Sequence, residues 1–151
     1  MAASFIPPGS SVIDVGCGRM QLVEHLPEGC QYTPADLTQW TEGVQRIDLD
    51  NGLFPTGRYD YCVILGVLEY LKNPDDTLAW ARSACDHLIV SYCHPLSGNI
   101  RDRRRRLWIN DYSKSDLRDL LHEAGWAQET AQIYETKPDF EQIVYSCTPD
   151  T

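Results

Sequence analysis

Several structural signatures are missing from the sequence, and each absence removes a class of function. The six cysteines, at positions 17, 30, 62, 85, 93 and 147, include no Cys-x-x-Cys pair. Many zinc sites and dithiol redox motifs are built on that spacing. Reduced thiols, several of them buried in strands as small hydrophobes, are therefore expected rather than metal ligands or disulfides. No apolar run approaches the roughly 20 residues that cross a bilayer, so no membrane association is expected. Met1–Pro8 lacks a basic segment followed by a long apolar one, which counts against a signal peptide and for a cytoplasmic protein. Positive charge is scarce: 13 Lys and Arg face 22 Asp and Glu, for a net charge of −9. That balance argues against general binding to nucleic-acid phosphates. There is no internal repeat, low-complexity tract or linker.

What remains is a chain of 151 residues with 42% apolar content, enough to bury the core of one domain spanning 1–151. One local exception to the acidic balance is Arg101-Asp102-Arg103-Arg104-Arg105-Arg106. It is either a solvated loop or helix face, or a grip on an anionic substrate or an acidic partner.

The organising stretch is Val12-Ile13-Asp14-Val15-Gly16-Cys17-Gly18. A short apolar run ending at Gly-x-Gly reads as a buried parallel strand that stops in a tight turn. Glycine there lets a ligand approach the backbone closely. Strand 1 is expected over 11–15, a short helix over 20–26, strand 2 over 31–35, and a turn or short helix over 38–43. Strand 3 is expected over 44–47, followed by the turn-rich Asp48-Leu49-Asp50-Asn51-Gly52. Tyr59–Leu65 reads as a central strand, joined to strand 3 by a loop too short for a helical crossover. Asn73-Pro74-Asp75-Asp76 starts a helix that runs to about Cys85, with Asn73 as N-cap. His87–Cys93 is strand 5, and residues 96–110 form a loop with a short helical turn. Ser113 or Ser115 caps a further helix that stops at Gly125. Trp126–Tyr134 and Glu141–Thr148 alternate about a Lys137-Pro138-Asp139 turn and read as an antiparallel pair. The sum is an α/β fold with a mostly parallel sheet.

Two carboxylates stand where such sheets bind ligands. Asp36, 18 residues after Gly18, sits at the end of strand 2, where it can accept hydrogen bonds from ribose hydroxyls or simply cap the following turn. Asp48 sits at the end of strand 3, next to an adenine position or as part of an ordinary turn. A nicotinamide-dependent oxidoreductase is not favoured, because Gln21 replaces the third glycine of Gly-x-Gly-x-x-Gly and no Tyr-x-x-x-Lys occurs.

Asp14-Val15-Gly16-Cys17-Gly18 resembles motif I of the class I S-adenosylmethionine (SAM)-dependent methyltransferases, with Met20 at the family's third glycine. Val67-Leu68-Glu69-Tyr70-Leu71-Lys72-Asn73-Pro74 resembles the family's Val-Leu-Glu-His-Leu-x-x-Pro segment. Asp48–Leu53 and Ile89–Tyr92 are most similar to the MetW-like branch. The resemblance covers nearly the whole chain. It implies a three-layer Rossmann-like fold with a mostly parallel seven-stranded sheet whose last strand is antiparallel. It implies SAM as cofactor, bound by Asp14, Gly16, Cys17, Gly18, Asp36, Leu37, Asp48, Leu49 and Leu65. The activity implied is methyl transfer to an acceptor that the sequence does not identify, either a small molecule or an anionic one. No catalytic residue is assigned: Glu69 is a base or a surface residue, Tyr70 replaces the family's frequent histidine, and His94 is structural or reaches a substrate. The family's long N-terminal helical cap is absent, which leaves an open site or one covered by a partner domain or subunit. With Met20 in the glycine turn, a degenerate SAM-binding domain that acts through protein partners is the alternative.

Overall fold

Val12, Ile13 and Val15 have no exposed surface, and the strand they form, β1 (Ser11–Val15), has a parallel neighbour on each side. A continuous apolar run belongs in such a doubly covered position. The computed structural model describes residues 1–96 and 100–151. Around β1 lie β2 (Gln31–Asp36), β3 (Gln45–Arg46), β4 (Tyr59–Ile64), β5 (Cys85–Pro95), β6 (Trp126–Thr136) and β7 (Phe140–Pro149). Their order in the sheet is β3-β2-β1-β4-β5-β7-β6. The first five run parallel, and β7 runs antiparallel to both β5 and β6. This is the mostly parallel seven-stranded α/β sheet that the resemblance implied, with the hairpin folded back so that β7 is the inner strand.

The two faces are covered unequally. On one lie α1 (Pro74–Ala84) and α3 (Lys114–Glu123), which bury Leu78, Ala81, Leu117 and Leu121 against Ile13, Ile64, Leu88 and Tyr145. Trp126 joins them and donates its ring N–H to the Leu78 carbonyl at 3.1 Å. On the other face two short 3₁₀ turns, Ala2–Phe5 and Gln21–His25, cover Val12, Val63, Ile89 and Val144. The helix expected over 20–26 is therefore one 3₁₀ turn. Met20 enters it in the left-handed conformation and Pro27 follows it, so too few residues remain to repay helix nucleation.

Other boundaries move for local reasons. Asn73 occupies the N-cap position of α1 without using its side chain; Asp50 instead accepts the N–H groups of Lys72 (2.9 Å) and Asn73 (3.2 Å). Ser113 is the N-cap of α3, accepting the Asp116 N–H while the Asp116 carboxylate takes that of Ser113. Cys85 begins β5 instead of ending α1. β3 keeps two paired residues, flanked by buried Val44 and Ile47, and a 3₁₀ turn (Leu49–Asn51) follows it.

The basic run is not a free loop. It forms α2 (Ile100–Arg105); residues 97–99 of the loop expected there lie outside the described residues. Arg103 is 1% exposed. It donates to the carbonyls of Cys93 (2.7 Å) and Asn110 (2.6 Å), to Asp111 (2.8 Å) and to the Tyr92 hydroxyl (3.3 Å). The Trp108 ring lies against its guanidinium, 5.0 Å from centroid to Cζ. Arg104 grips Asp111 with both terminal nitrogens, and Arg106 reaches Asp139. Arg104 foremost, and then Arg103, hold the Asp111 carboxyl below the usual carboxylate range.

The arginines should therefore behave differently from one another. Arg103→Ala leaves buried acceptors unpaired and is expected to cost about 3–5 kcal/mol in urea unfolding. Arg105→Ala, at a side chain 72% exposed, is expected to change stability by no more than about 0.5 kcal/mol.

Candidate active site

β1 ends in a turn that only particular residues can make. Gly16 has φ +77°, and a Cβ built there would overlap a methyl of Val67. The glycine is thus needed for protein packing as well as for an approaching ligand. The N–H groups of Gly16 and Cys17 both donate to the Ala35 carbonyl, at 2.8 and 3.0 Å, which ties the turn to β2. Gly18 donates its N–H to one oxygen of Asp36 (2.8 Å), and Thr38 donates to the other (3.2 Å). Met20, at the family's third glycine, takes φ +57° and ψ +35°. The left-handed turn is kept although the glycine is not, at a backbone cost of about 1–2 kcal/mol.

Asp14 lies behind this turn, 4% exposed, and accepts the Tyr32 hydroxyl at 2.7 Å. Burial, reinforced by the Asp36 charge and opposed by the Tyr32 hydrogen bond, pushes its carboxyl up from 3.8 to about 6. Burial, with the charges of Asp14 and Asp36, also raises the Cys17 thiol to about 11. Cys17 is therefore a neutral packing group at neutral pH and not a thiolate nucleophile.

At the carboxyl ends of β1 and β2 lies a cavity of about 370 Å³. Gly16, Asp36, Leu37, Asp48 and Leu49 line it, five of the nine residues expected to bind a cofactor. Asp14, Cys17 and Gly18 do not line it. Leu65 lines a neighbouring cavity of about 400 Å³ that shares Gly66 with the first. Gly66, Val67, Tyr70 and Leu71, none of them among the nine, also line the Gly16 cavity. The signal for the last three is the Val67–Pro74 resemblance. Asp48 accepts the Asn51 side chain at 2.9 Å, while its backbone N–H and carbonyl pair with Leu53. A larger cavity, about 720 Å³, lies between β5, α3 and the β6–β7 hairpin and shares no lining residue with the Gly16 cavity.

Glu69 fits neither of its expected roles, base or surface residue. It has no exposed area; one oxygen accepts the Cys93 N–H at 2.9 Å and the other has no partner among the described residues. Burial raises its pKa. Its neighbours Tyr70 and Leu71 reach the cavity, but Glu69 does not line it. His94 is structural. Its Nδ1 faces the Tyr112 carbonyl at 2.9 Å, and Nε2 faces the Tyr145 hydroxyl at 2.5 Å. A carbonyl only accepts, so Nδ1 carries the proton and Nε2 accepts from Tyr145. Burial lowers its pKa and keeps it neutral.

Residues 1–131 match the model of a family described as a methyltransferase domain. The chain belongs to that methyltransferase family. The match does not separate out the MetW-like branch. In fold, this methyltransferase domain is similar to the Burkholderia thailandensis 1,6-didemethyltoxoflavin-N1-methyltransferase, solved with 1,6-didemethyltoxoflavin and S-adenosylhomocysteine. The TM-score is 0.76 at 18% identity, over 99% of this chain and 77% of that one. It is also similar to a SAM-dependent methyltransferase from Mesorhizobium loti, with TM-score 0.73 and 15% identity over 97% and 95% of the two chains. The [4+2]-cyclase SpnF matches at TM-score 0.76 and 13% identity over 99% and 79%. No curated protein matches the sequence.

Two stability measurements check the turn. Because the folded state raises the Asp14 pKa, it binds that proton more tightly than the unfolded chain. The resulting stabilisation is complete below about pH 3.8 and is lost as pH rises through about 6. Asp14→Asn is therefore expected to be more stable than the original protein near pH 8, by up to about 3 kcal/mol, and to lose that advantage near pH 4. Met20→Gly should relieve about 1 kcal/mol and raise the melting temperature, whereas β-branched Met20→Val should lower it.

Proposed function

We propose that this methyltransferase domain binds SAM in the cavity at Gly16 and transfers its methyl group to a separate acceptor. The observation that carries the reading is the cavity itself. It joins a glycine turn to two strand-end carboxylates, Asp36 and Asp48, and to Val67, Tyr70 and Leu71. These residues fit the cofactor. Asp36 accepts one backbone N–H on each oxygen and keeps lone pairs for two ribose hydroxyls. Asp48 and Leu49, which line the same cavity, would face the adenine. The Gly16–Gly18 turn would hold the methionine part, with the Asp14 carboxylate behind it as the charge complementary to an ammonium.

When bound, SAM supplies a sulfonium methyl group, which the acceptor's lone pair takes as the carbon–sulfur bond breaks and its electron pair goes to sulfur. The contribution of this chain is positioning: the wall and the carboxylates fix one reactant, and aligning the second with it supplies much of the rate. The degenerate-domain alternative rests on the short N-terminal segment together with Met20. The left-handed conformation of Met20 keeps the turn that a glycine would make, which supports cofactor binding.

Calorimetry with SAM, S-adenosylhomocysteine and NADH tests the assignment. The two adenosyl ligands are expected to bind and NADH is not. Asp36→Ala should weaken both by roughly tenfold or more, the value of about 1.5–3 kcal/mol in charge-assisted hydrogen bonds. Unchanged affinity in a folded Asp36→Ala protein would remove Asp36 from the ribose site.

A further inference from the structure

Part of the lining of the Gly16 cavity stands on a very short element. Leu68–Tyr70 is a single 3₁₀ turn between β4 and α1. It brings Tyr70, and Leu71 after it, to the cavity. The turn's own bonds run from the Tyr70 N–H to the Val67 carbonyl (3.0 Å) and from the Leu71 N–H to the Leu68 carbonyl (3.3 Å). So few bonds do little to offset the backbone entropy of ordering the segment. Tyr70 is 47% exposed, so packing alone does not fix it either.

Asn110 supplies further bonds from a distant part of the chain. Its side-chain nitrogen lies 2.6 Å from the Leu68 carbonyl and 2.7 Å from the Leu71 carbonyl, 42 and 39 residues away in sequence. Carbonyl oxygens only accept, so the amide nitrogen faces them and gives one N–H to each. The backbone N–H groups of Ile109 (2.8 Å) and Asn110 (3.3 Å) both reach the Glu69 carbonyl. The carbonyls of Leu68, Glu69 and Leu71 thus all end on residues 109–110, and Tyr70 stands inside that bracket. The bracket is itself anchored. Buried Arg103 donates to the Asn110 carbonyl at 2.6 Å and to the Cys93 carbonyl of β5 at 2.7 Å. Neither Asn110 nor Arg103 is among the described residues lining the cavity. Any influence of Asn110 on a ligand there passes through the segment it holds.

We propose that Asn110 is a positioning residue for the cofactor: its side-chain amide holds Leu68–Leu71 so that Tyr70 is set against the ligand in the Gly16 cavity. This rests on that cavity being the SAM site. By linkage, if the Asn110 bonds favour the arrangement that binds the cofactor, the bound cofactor favours those bonds to the same degree.

Calorimetry with S-adenosylhomocysteine on the unmodified protein comes first, and failure to bind overturns the cofactor reading and this inference with it. Asn110→Ala, its fold checked by circular dichroism, is expected to weaken binding by roughly fivefold, at the lower end of couplings between sites. Tyr145→Phe removes a buried hydrogen bond elsewhere, the one to His94, and serves as the control for lost stability. It should change the affinity by less than about twofold, as an independent site does. In a Tyr70→Ala background the effect of Asn110→Ala should also fall below about twofold, because the group being positioned is gone. A last measurement needs no variant and decides the matter even if Asn110→Ala does not fold. In NMR of the unmodified protein, S-adenosylhomocysteine is expected to move the Asn110 side-chain NH₂ resonances together with the Tyr70 backbone amide, at one midpoint. The inference falls, with the cofactor reading intact, if Asn110→Ala loses no more affinity than Tyr145→Phe. It falls equally if the loss is undiminished without the Tyr70 ring, or if the ligand moves the Tyr70 amide and leaves the Asn110 NH₂ in place.

Discussion

The contact between Gly16 and Val67 is the constraint on which the site depends. Val67 occupies the space that a side chain at Gly16 would fill, so the segment after β4 can close down on the turn after β1. That closure brings Tyr70 and Leu71 into one cavity with Asp36 and Asp48. Any side chain at position 16 meets Val67 before it meets a ligand. The same turn is pinned from the other side by the Ala35 carbonyl and the Asp36 carboxylate, so β1, β2 and the β4–α1 segment form one unit.

Behind the Tyr70 wall lies a second buried system. Asn110 donates its side-chain N–H groups to the carbonyls of Leu68 and Leu71, and the Glu69 carbonyl accepts the N–H of Ile109. Arg103 in turn holds the Asn110 carbonyl and Asp111. The arginine run thus fastens the 107–111 segment to the back of the cavity wall. Burying a guanidinium is costly unless its donors are satisfied, and here every nitrogen of Arg103 has an acceptor. Positive charge in this acidic protein is used as internal bracing at this point.

Asp14 shows the opposite balance. Its burial beside Asp36 makes the ionised form unfavourable in the folded protein, and Tyr32 offsets only part of that. A cationic group bound nearby would relieve the repulsion between the two carboxylates.

Much of the fold was legible in the chain because it depends on local rules. Apolar runs at β1 and β4, the Pro74 helix start, the Gly125 stop and the Lys137-Pro138-Asp139 turn each follow from side-chain chemistry within a few residues. Motif I and the spacing to Asp36 and Asp48 likewise located the five strand-end residues of the cavity. What the sequence could not decide depends on contacts between distant segments. The sequence order of the hairpin does not tell which strand will be inner, and β7 takes that place beside β5. Exposed charge and buried charge look alike in a run of arginines; only packing against Tyr92 and Trp108 distinguishes Arg103 from Arg105. Glu69 reads as a base or a surface residue and His94 as structural or reaching a substrate, and it is tertiary partners 24 and 51 residues away that hold both side chains inside the fold. Local sequence fixes backbone conformation and periodicity, whereas burial and hydrogen-bond partners are set by whichever distant residues the completed fold brings alongside.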